Sequence, residues 1–189
     1  MHSKIFVFIL ALAFGGSCMA QVRPAAEGSQ VNLSAGGGFD YWQGDYTGVA
    51  RFGPCAWITD EFWHGMGVNI EGHSMMIGGS YPSDSYKYFV GEGGFIYNYH
   101  HFQKLTPFAK AELGFAGLSF PHKKGAKYTH DTRNTWAIGG GIDYKLSRHL
   151  SARIDYTYDA FPNFYSPISG QHHTLNPNGI SFGPTYHFR

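Results

Sequence analysis

The stretch RNTWAIGGGIDYKLSRHLSARIDYTYDAF, residues 133–161, decides the fold. Apolar residues or glycines occupy every second position from Trp136 to Leu146, and the pattern resumes from Leu150 to Tyr158. The positions between them carry glycines and ions of both signs. A period of two is typical of β-strands, whose successive side chains point to opposite faces. The stretch therefore predicts two strands joined by a short turn at residues 147–149.

The same alternation recurs along the rest of the chain. It predicts further strands at residues 31–42, 48–58, 66–76, 86–99, 107–120 and 179–189, interrupted by turn residues. Short connections follow the second, fourth and sixth strands, whereas segments such as 121–133 and 161–178 are long. Eight strands with alternating short and long connections indicate an all-β protein, an eight-stranded antiparallel up-and-down barrel that spans a membrane.

The N-terminal residues indicate export. An apolar run at residues 5–14 follows Lys4, and small residues lead to Ala20, which predicts a signal peptide over residues 1–20 that is cut near Ala20. Lipidation at Cys18 is the alternative. Residues 21–30 form a short leader, and residues 31–189 form the barrel domain. Cys55 is then the only cysteine of the mature chain, so no internal disulfide can form.

The composition argues against some classes of function. The chain has 14 basic and 13 acidic residues, a balance that argues against binding to nucleic acid. It also has 26 glycines, with 17% aromatic and only 14% charged residues. This mixture is suited to glycine-bearing strands with aromatic anchors.

Alternation alone does not say which face meets water. A soluble barrel of the lipocalin kind has its apolar face inside, and a membrane barrel has it outside. Lys110, Lys145 and Arg153 would each cost about 2–4 kcal/mol at mid-bilayer, so in a membrane they must face the lumen. Glycines share that polar face, and small residues are expected where an eight-stranded barrel is narrow. They are Gly36, Gly38, Gly114, Gly139, Gly141 and Gly183.

Two sets of residues are therefore predicted. A lumen ionic network, in which opposite charges pair, comprises Arg51, Glu71, Glu92, Lys110, Glu112, Asp143, Lys145, Arg153 and Asp155. A lipid-facing aromatic girdle at the two membrane interfaces comprises Tyr41, Tyr97, Tyr99, Trp136, Tyr156, Tyr158, Tyr186 and Phe188.

The sequence also resembles a known family. AIGGGIDYKLSRHLSARIDYTYDAF (137–161) is similar to the sixth and seventh strands of small OmpA-like outer-membrane barrels, especially those typical of acidobacterial genomes. KLTPFAKAELGFA (104–116) resembles their fifth strand, and GISFGPTYHF (179–188) their eighth. The resemblance implies both termini in the periplasm and a place in the outer membrane of a Gram-negative-type bacterium. It also implies that the barrel-assembly machinery reads the terminal aromatic, here Phe188. Pro184 interrupts the hydrogen-bond donors of that last strand.

Other chemistries find little support in the sequence. Adjacent histidines, as at His100-His101 and His172-His173, point to opposite faces of a strand, so we predict no metal site and no cofactor. Glu71, His73 and Ser74 could suggest a hydrolase, but Ser74 would face the opposite side, so we predict no enzymatic activity.

The predicted function is structural or surface-binding, in a monomer whose lumen is plugged by ionic side chains. Its partners are outer-membrane lipid and lipopolysaccharide, the latter through the basic segment 121–133. Two alternatives stay open: a narrow channel for small solutes, and a secreted lipocalin-like barrel that binds an apolar ligand.

Overall fold

The computed structural model describes residues 32–43, 50–75, 87–119, 130–165 and 172–188. The predicted signal peptide, the leader and most of the segment 121–133 lie outside these ranges. The strands are β1 (Asn32–Gln43), β2 (Ala50–Trp63), β3 (Met66–Met75), β4 (Lys87–Asn98), β5 (Leu105–Ser119), β6 (His130–Lys145), β7 (Leu150–Tyr165), β8 (His172–Leu175) and β9 (Asn178–Phe188). Among the described residues, no helix has the length and apolar character needed to cross a bilayer.

The strands form one closed antiparallel barrel. Each strand from β1 to β7 pairs with the next, and β9 closes the sheet by pairing with both β1 and β7. Eight strands therefore make the barrel, as predicted. The turns at 64–65, 99–104 and 146–149 lie at one end, called here the short-turn end, together with the start of β1 and the end of β9. The opposite end is the long-loop end.

The eighth barrel strand is longer than the sequence predicts. Leu175 of β8 pairs with Phe161 in the same register against β7 as Asn178 of β9 with Tyr158. Beyond Leu175, an irregularity between Phe161 and Phe164 shifts the register by one residue. Pro177 falls between Leu175 and Asn178, and its carbonyl oxygen accepts a hydrogen bond from the Asp159 amide at 2.9 Å. The prediction that residues 161–178 are irregular is thus wrong for 161–165 and 172–175. Proline and asparagine suggested a loop, but here they interrupt a ladder only locally.

The β2–β3 connection is also tighter than predicted. The expected connection at residues 59–65 is mostly strand, because β2 continues to Trp63 and the chain turns at His64 and Gly65. Both turn residues have positive φ, 45° and 88°. Positive φ at both central residues is the signature of a two-residue type I′ hairpin turn.

Burial alternates along the strands with the apolar side outward. In β3, Val68 and Ile70 are exposed, whereas Asn69, Glu71 and His73 are buried. The lumen of the barrel is therefore its polar side, as predicted, and the outer surface is mainly apolar in the described strands.

The aromatic residues predicted as a girdle lie on this outer surface, and all are exposed except Tyr158, which is half-buried. Not all of them lie at strand ends: Trp136 and Tyr156 are inside β6 and β7. Trp136 contacts Tyr158, and two residues further toward the long-loop end the outer position is the exposed Asn134. Trp136 thus marks where the apolar surface gives way to polar side chains, because β6 extends beyond it.

Pro184 affects only one of the two ladders of β9. The pairing of β9 with β1 skips the positions of Gly183 and Pro184, then resumes at Phe182. Pairing with β7 continues through this region, and Phe188 pairs with Leu33 at the short-turn end. The last strand is therefore held on both sides despite its proline.

Candidate functional site

The barrel lumen is the candidate site, and Lys110 is the hub of its middle. The Lys110 ammonium donates hydrogen bonds to Glu71 Oε1 and Asp155 Oδ2, each at 2.5 Å, and lies 3.6 Å from Glu112 Oε2. Asn69 Nδ2 donates to both glutamates at 2.9 Å. All of these side chains are buried, so the charges depend on one another rather than on water for solvation.

A second ion pair lies nearer the short-turn end. Arg153 donates two hydrogen bonds to the Asp143 carboxylate, at 2.9 and 2.8 Å, in the two-point geometry that strengthens such pairs. The guanidinium carbon lies 4.6 Å from the ring centroid of Phe108 and 5.4 Å from that of Trp57. This layer therefore combines charge pairing with cation–π contacts.

A cavity of about 320 Å³ opens beyond this pair at the short-turn end. Asp143 and Arg153 contribute to its wall, together with polar residues of the strand ends such as Glu61, Asn98 and Lys145. Glu71, Lys110 and Asp155 do not line it. The cavity is therefore a vestibule that ends at the Arg153–Asp143 layer.

A histidine-centred cluster lies on the long-loop side of Lys110. His73 Nδ1 lies 2.8 Å from Asp40 Oδ2, and its Nε2 lies 3.1 Å from Glu71 Oε1. Glu92 accepts a hydrogen bond from Thr135 Oγ1 at 3.0 Å. One ligand atom from each of Glu71, His73 and Glu92 lies within 4.8 Å of the other two.

The long-loop end of the lumen is apolar. Inward side chains of five strands pack into one buried cluster there, and Leu175 packs against it. The cluster begins directly beyond His73, whose ring meets the Trp42 ring edge-on at 5.5 Å. Its members are Trp42, Met75, Val90, Ala116, Leu118 and Phe161.

Eight of the nine predicted network residues are buried, and Lys145 is the exception. Lys145 has the inward position and lines the vestibule, but it is the last residue of β6 and is exposed, so it lies outside the buried part of the network. Arg51 is buried near the long-loop end, opposite Trp42 in the register, and not beside Lys110.

Asp40, His73 and Asp159 are lumen side chains that the predicted network did not include, and all three are buried. Each lies at a position of its strand that alternation directs into the lumen, so the sequence pattern could have identified it. The sequence suggested His73 only as a possible hydrolase residue beside Glu71 and Ser74, and not as a partner of Asp40. His100, from one of the adjacent histidine pairs, is exposed and contacts Glu61 Oε2 at 2.7 Å. The side chains of His172 and His173 lie outside the described residues.

The lumen glycines make room for large inward side chains. A Cβ at Gly139 would lie 2.8 Å from Lys110 Cε, and one at Gly36 would overlap the Trp57 ring. Real Cβ contacts are longer than this. Glycine therefore lies beside the charged and aromatic residues because the barrel has no space for a second side chain there.

Solved structures share this fold. Neisserial surface protein A matches with a TM-score of 0.66 at 15% identity, over 86% of this chain and 100% of that chain. The outer membrane protein OprG from Pseudomonas aeruginosa gives 0.62 at 12% identity, over 85% of this chain and 97% of that chain. The N-terminal β-barrel domain of Pseudomonas aeruginosa OprF gives 0.51 at 11% identity, over 84% and 98%. No protein-family model and no curated protein matches the sequence. At such identities the likeness establishes the fold.

Proposed function

We propose that this chain is an integral outer-membrane barrel protein with a closed lumen and a structural or surface-binding role. The observation that carries the proposal is the inversion of the barrel: its outer surface is mainly apolar, and the middle of its interior holds buried ionic side chains. Similarity to solved outer-membrane barrels supports the same location.

The outer surface supports insertion in lipid. Leu113, Phe95 and Ile70 are among its most exposed side chains, at 73%, 66% and 63%. An apolar surface that continues around a barrel is far larger than a soluble monomer normally exposes. The lipocalin-like alternative requires an apolar interior around its ligand, whereas the middle of this lumen holds buried ions.

The filled lumen favours a plug over a channel. From the vestibule, a solute would meet the Arg153–Asp143 pair, then the Lys110 hub, then the apolar cluster around Trp42 and Phe161. Opening this path would separate buried charges from their partners, which is costly. Function is therefore assigned to the surface beyond the membrane, with lipid and lipopolysaccharide as expected contacts.

The closed sheet also bears on assembly. A barrel with every strand paired offers no free edge for another chain, which supports a monomer. Phe188, paired with Leu33 at the short-turn end, is the terminal aromatic expected to be read by the barrel-assembly machinery. We also propose that the chain belongs to the OmpA-like barrels.

Fractionation and conductance test the proposal together. We expect recovery in the carbonate-resistant membrane fraction, heat-modifiable gel mobility after detergent extraction, and no conductance steps in planar bilayers. A freely soluble protein would contradict the membrane assignment. Reproducible conductance steps from the folded, heat-modifiable species would instead support the channel alternative. A double variant, Trp42→Ala with Phe161→Ala, tests by the same conductance measurement whether the apolar cluster alone closes the lumen. Phe95→Ala, which shortens an outward side chain, is its matched control.

A further inference from the structure

We propose that the lumen holds a site for a divalent transition-metal ion of the Zn²⁺ class, built by Glu71, His73 and Glu92. This goes beyond the proposed structural or surface role and does not depend on it. It rests on the geometry of the three ligands, on a buried carboxylate oxygen of Glu92 that has no partner among the described residues, and on an imbalance of buried charge.

The three side chains are close to the geometry that a metal requires. Zinc binds imidazole nitrogen and carboxylate oxygen at about 2.0–2.2 Å, so neighbouring tetrahedral ligand atoms lie roughly 3.3 Å apart. His73 Nε2 and Glu71 Oε1 are 3.1 Å apart, and the Glu92 oxygen lies within 4.8 Å of both. A small rotation of Glu92 would complete a three-ligand arrangement.

Asp40 gives His73 the support typical of metal-ligating histidines. A ligating ring usually donates its other N–H to a carboxylate, which fixes its tautomer and orientation. His73 Nδ1 lies 2.8 Å from Asp40 Oδ2, so the ring donates there and directs Nε2 toward Glu71. With a carboxylate at each nitrogen, the ring either carries two protons or exchanges the Nε2 proton for a metal ion.

Independent evidence for a ligand comes from a carboxylate oxygen of Glu92. Within the part of the chain that the structure describes, Glu92 Oε2 has no hydrogen-bond partner, and Glu92 is only 4% exposed. Buried carboxylate oxygens normally find hydrogen-bond partners, and a cation held by Glu71, His73 and Glu92 would give this oxygen one.

The charge balance of the lumen also favours a bound cation. Among the described residues, seven buried carboxylates face three buried Lys or Arg side chains, which leaves four negative charges in excess when His73 is neutral. A divalent ion would halve that excess. Lys110 would not lose its pairing if Glu71 turned toward the metal, because Asp155 and Glu112 also lie against its ammonium.

Metal content after refolding tests the site. The untagged full chain is refolded from urea into detergent micelles with Zn²⁺, passed over a chelating resin, and analysed for zinc in the heat-modifiable species. We expect about one zinc per chain, and at least ten-fold less in His73→Asn and in Glu92→Gln. His100→Asn, which removes an exposed histidine at the short-turn end, should retain zinc like the wild type. Asp40→Asn should weaken binding about 10- to 100-fold.

Several results would overturn the site. Absence of retained zinc in the wild type would mean that protons or water satisfy these carboxylates. Equal zinc in the wild type, His73→Asn and Glu92→Gln would mean adventitious binding. Glu92→Gln keeps the test decisive if His73→Asn does not fold, because the described hydrogen bond of Glu92 is only to Thr135. Refolding with Co²⁺ adds a readout on the wild type: a visible absorption band of a low-coordinate site is expected, and its absence contradicts the proposal.

Discussion

Lys110 holds three buried carboxylates together in the middle of the lumen. Breaking a buried pair by removing one partner typically costs about 3–5 kcal/mol, because the remaining charge is left uncompensated. We expect Lys110→Met to lower the free energy of unfolding by this amount in reversible urea titrations in lipid vesicles. Lys145→Met is the matched control, since Lys145 is exposed and should change the free energy by less than about 0.5 kcal/mol. Equal effects of the two variants would contradict the network described here.

Gly139 is a lumen position where a methyl group has no room. Its Cβ would lie 2.7 Å from Tyr156 O and 2.8 Å from Lys110 Cε. Overpacking of this kind costs about 1–3 kcal/mol, so Gly139→Ala should lower the urea midpoint at unchanged slope. Gly93→Ala, with its nearest contact at 3.5 Å, should leave the midpoint almost unaltered. A Gly139→Ala variant as stable as the wild type would mean that the lumen relaxes easily.

For single residues, the sequence predicts which side chains point into the lumen better than it predicts how buried they are. Period-two alternation correctly places Glu71, Lys110 and Arg153 inside, because parity follows from strand geometry alone. It cannot tell that Lys145 is at an open end, since exposure depends on where each strand stops. It also gives no sign that His73 lies between Asp40 and Glu71, because the contact with Asp40 joins β3 to β1, with β2 between them.

Among the secondary-structure elements, the β2–β3 hairpin most clearly restricts which residue types fit its turn. His64 adopts a φ of 45°, which disfavours β-branched side chains and is well tolerated by asparagine. We expect His64→Val to unfold at lower urea than His64→Asn, by about 1–2 kcal/mol in free energy. Both variants lose the contact of the His64 ring with Trp63, so the difference isolates the backbone. Gln103→Val, in the exposed β4–β5 turn, should be neutral, and a similar loss there would contradict the turn assignment.

Element boundaries are where sequence reasoning fails most visibly. The β7–β8 pairing was concealed by Pro177 and by the asparagines beside it, which are ordinary loop signals. In the structure, Leu175 and Asn178, on either side of Pro177, pair with β7 in the same register, and the register shifts by one residue only beyond Leu175. Local residue preference describes one chain segment, whereas strand ends are decided by whether a neighbour supplies hydrogen-bond partners.

The whole molecule is defined by which surface meets lipid. In a closed barrel the backbone groups hydrogen-bond to neighbouring strands, so the side chains determine whether each face suits lipid or water. The ions of the inner face are buried among one another, and the outer face offers lipid an almost entirely apolar surface. One substitution on that outer face can distinguish a membrane barrel from a soluble one.

Leu113 lies in the middle of β5 on the outer surface and is 73% exposed. In a bilayer, an arginine there should cost about 2–4 kcal/mol, whereas near an interface it should cost about 0–1 kcal/mol. We therefore expect Leu113→Arg to destabilise vesicle-inserted protein much more than Leu146→Arg, at the short-turn end, where the leucine is 58% exposed. If this surface met water, both variants would unfold within about 0.5 kcal/mol of the wild type, since neither leucine is buried. The depth dependence, measured as the difference in unfolding free energy between the two arginine variants, thus reports directly on the membrane.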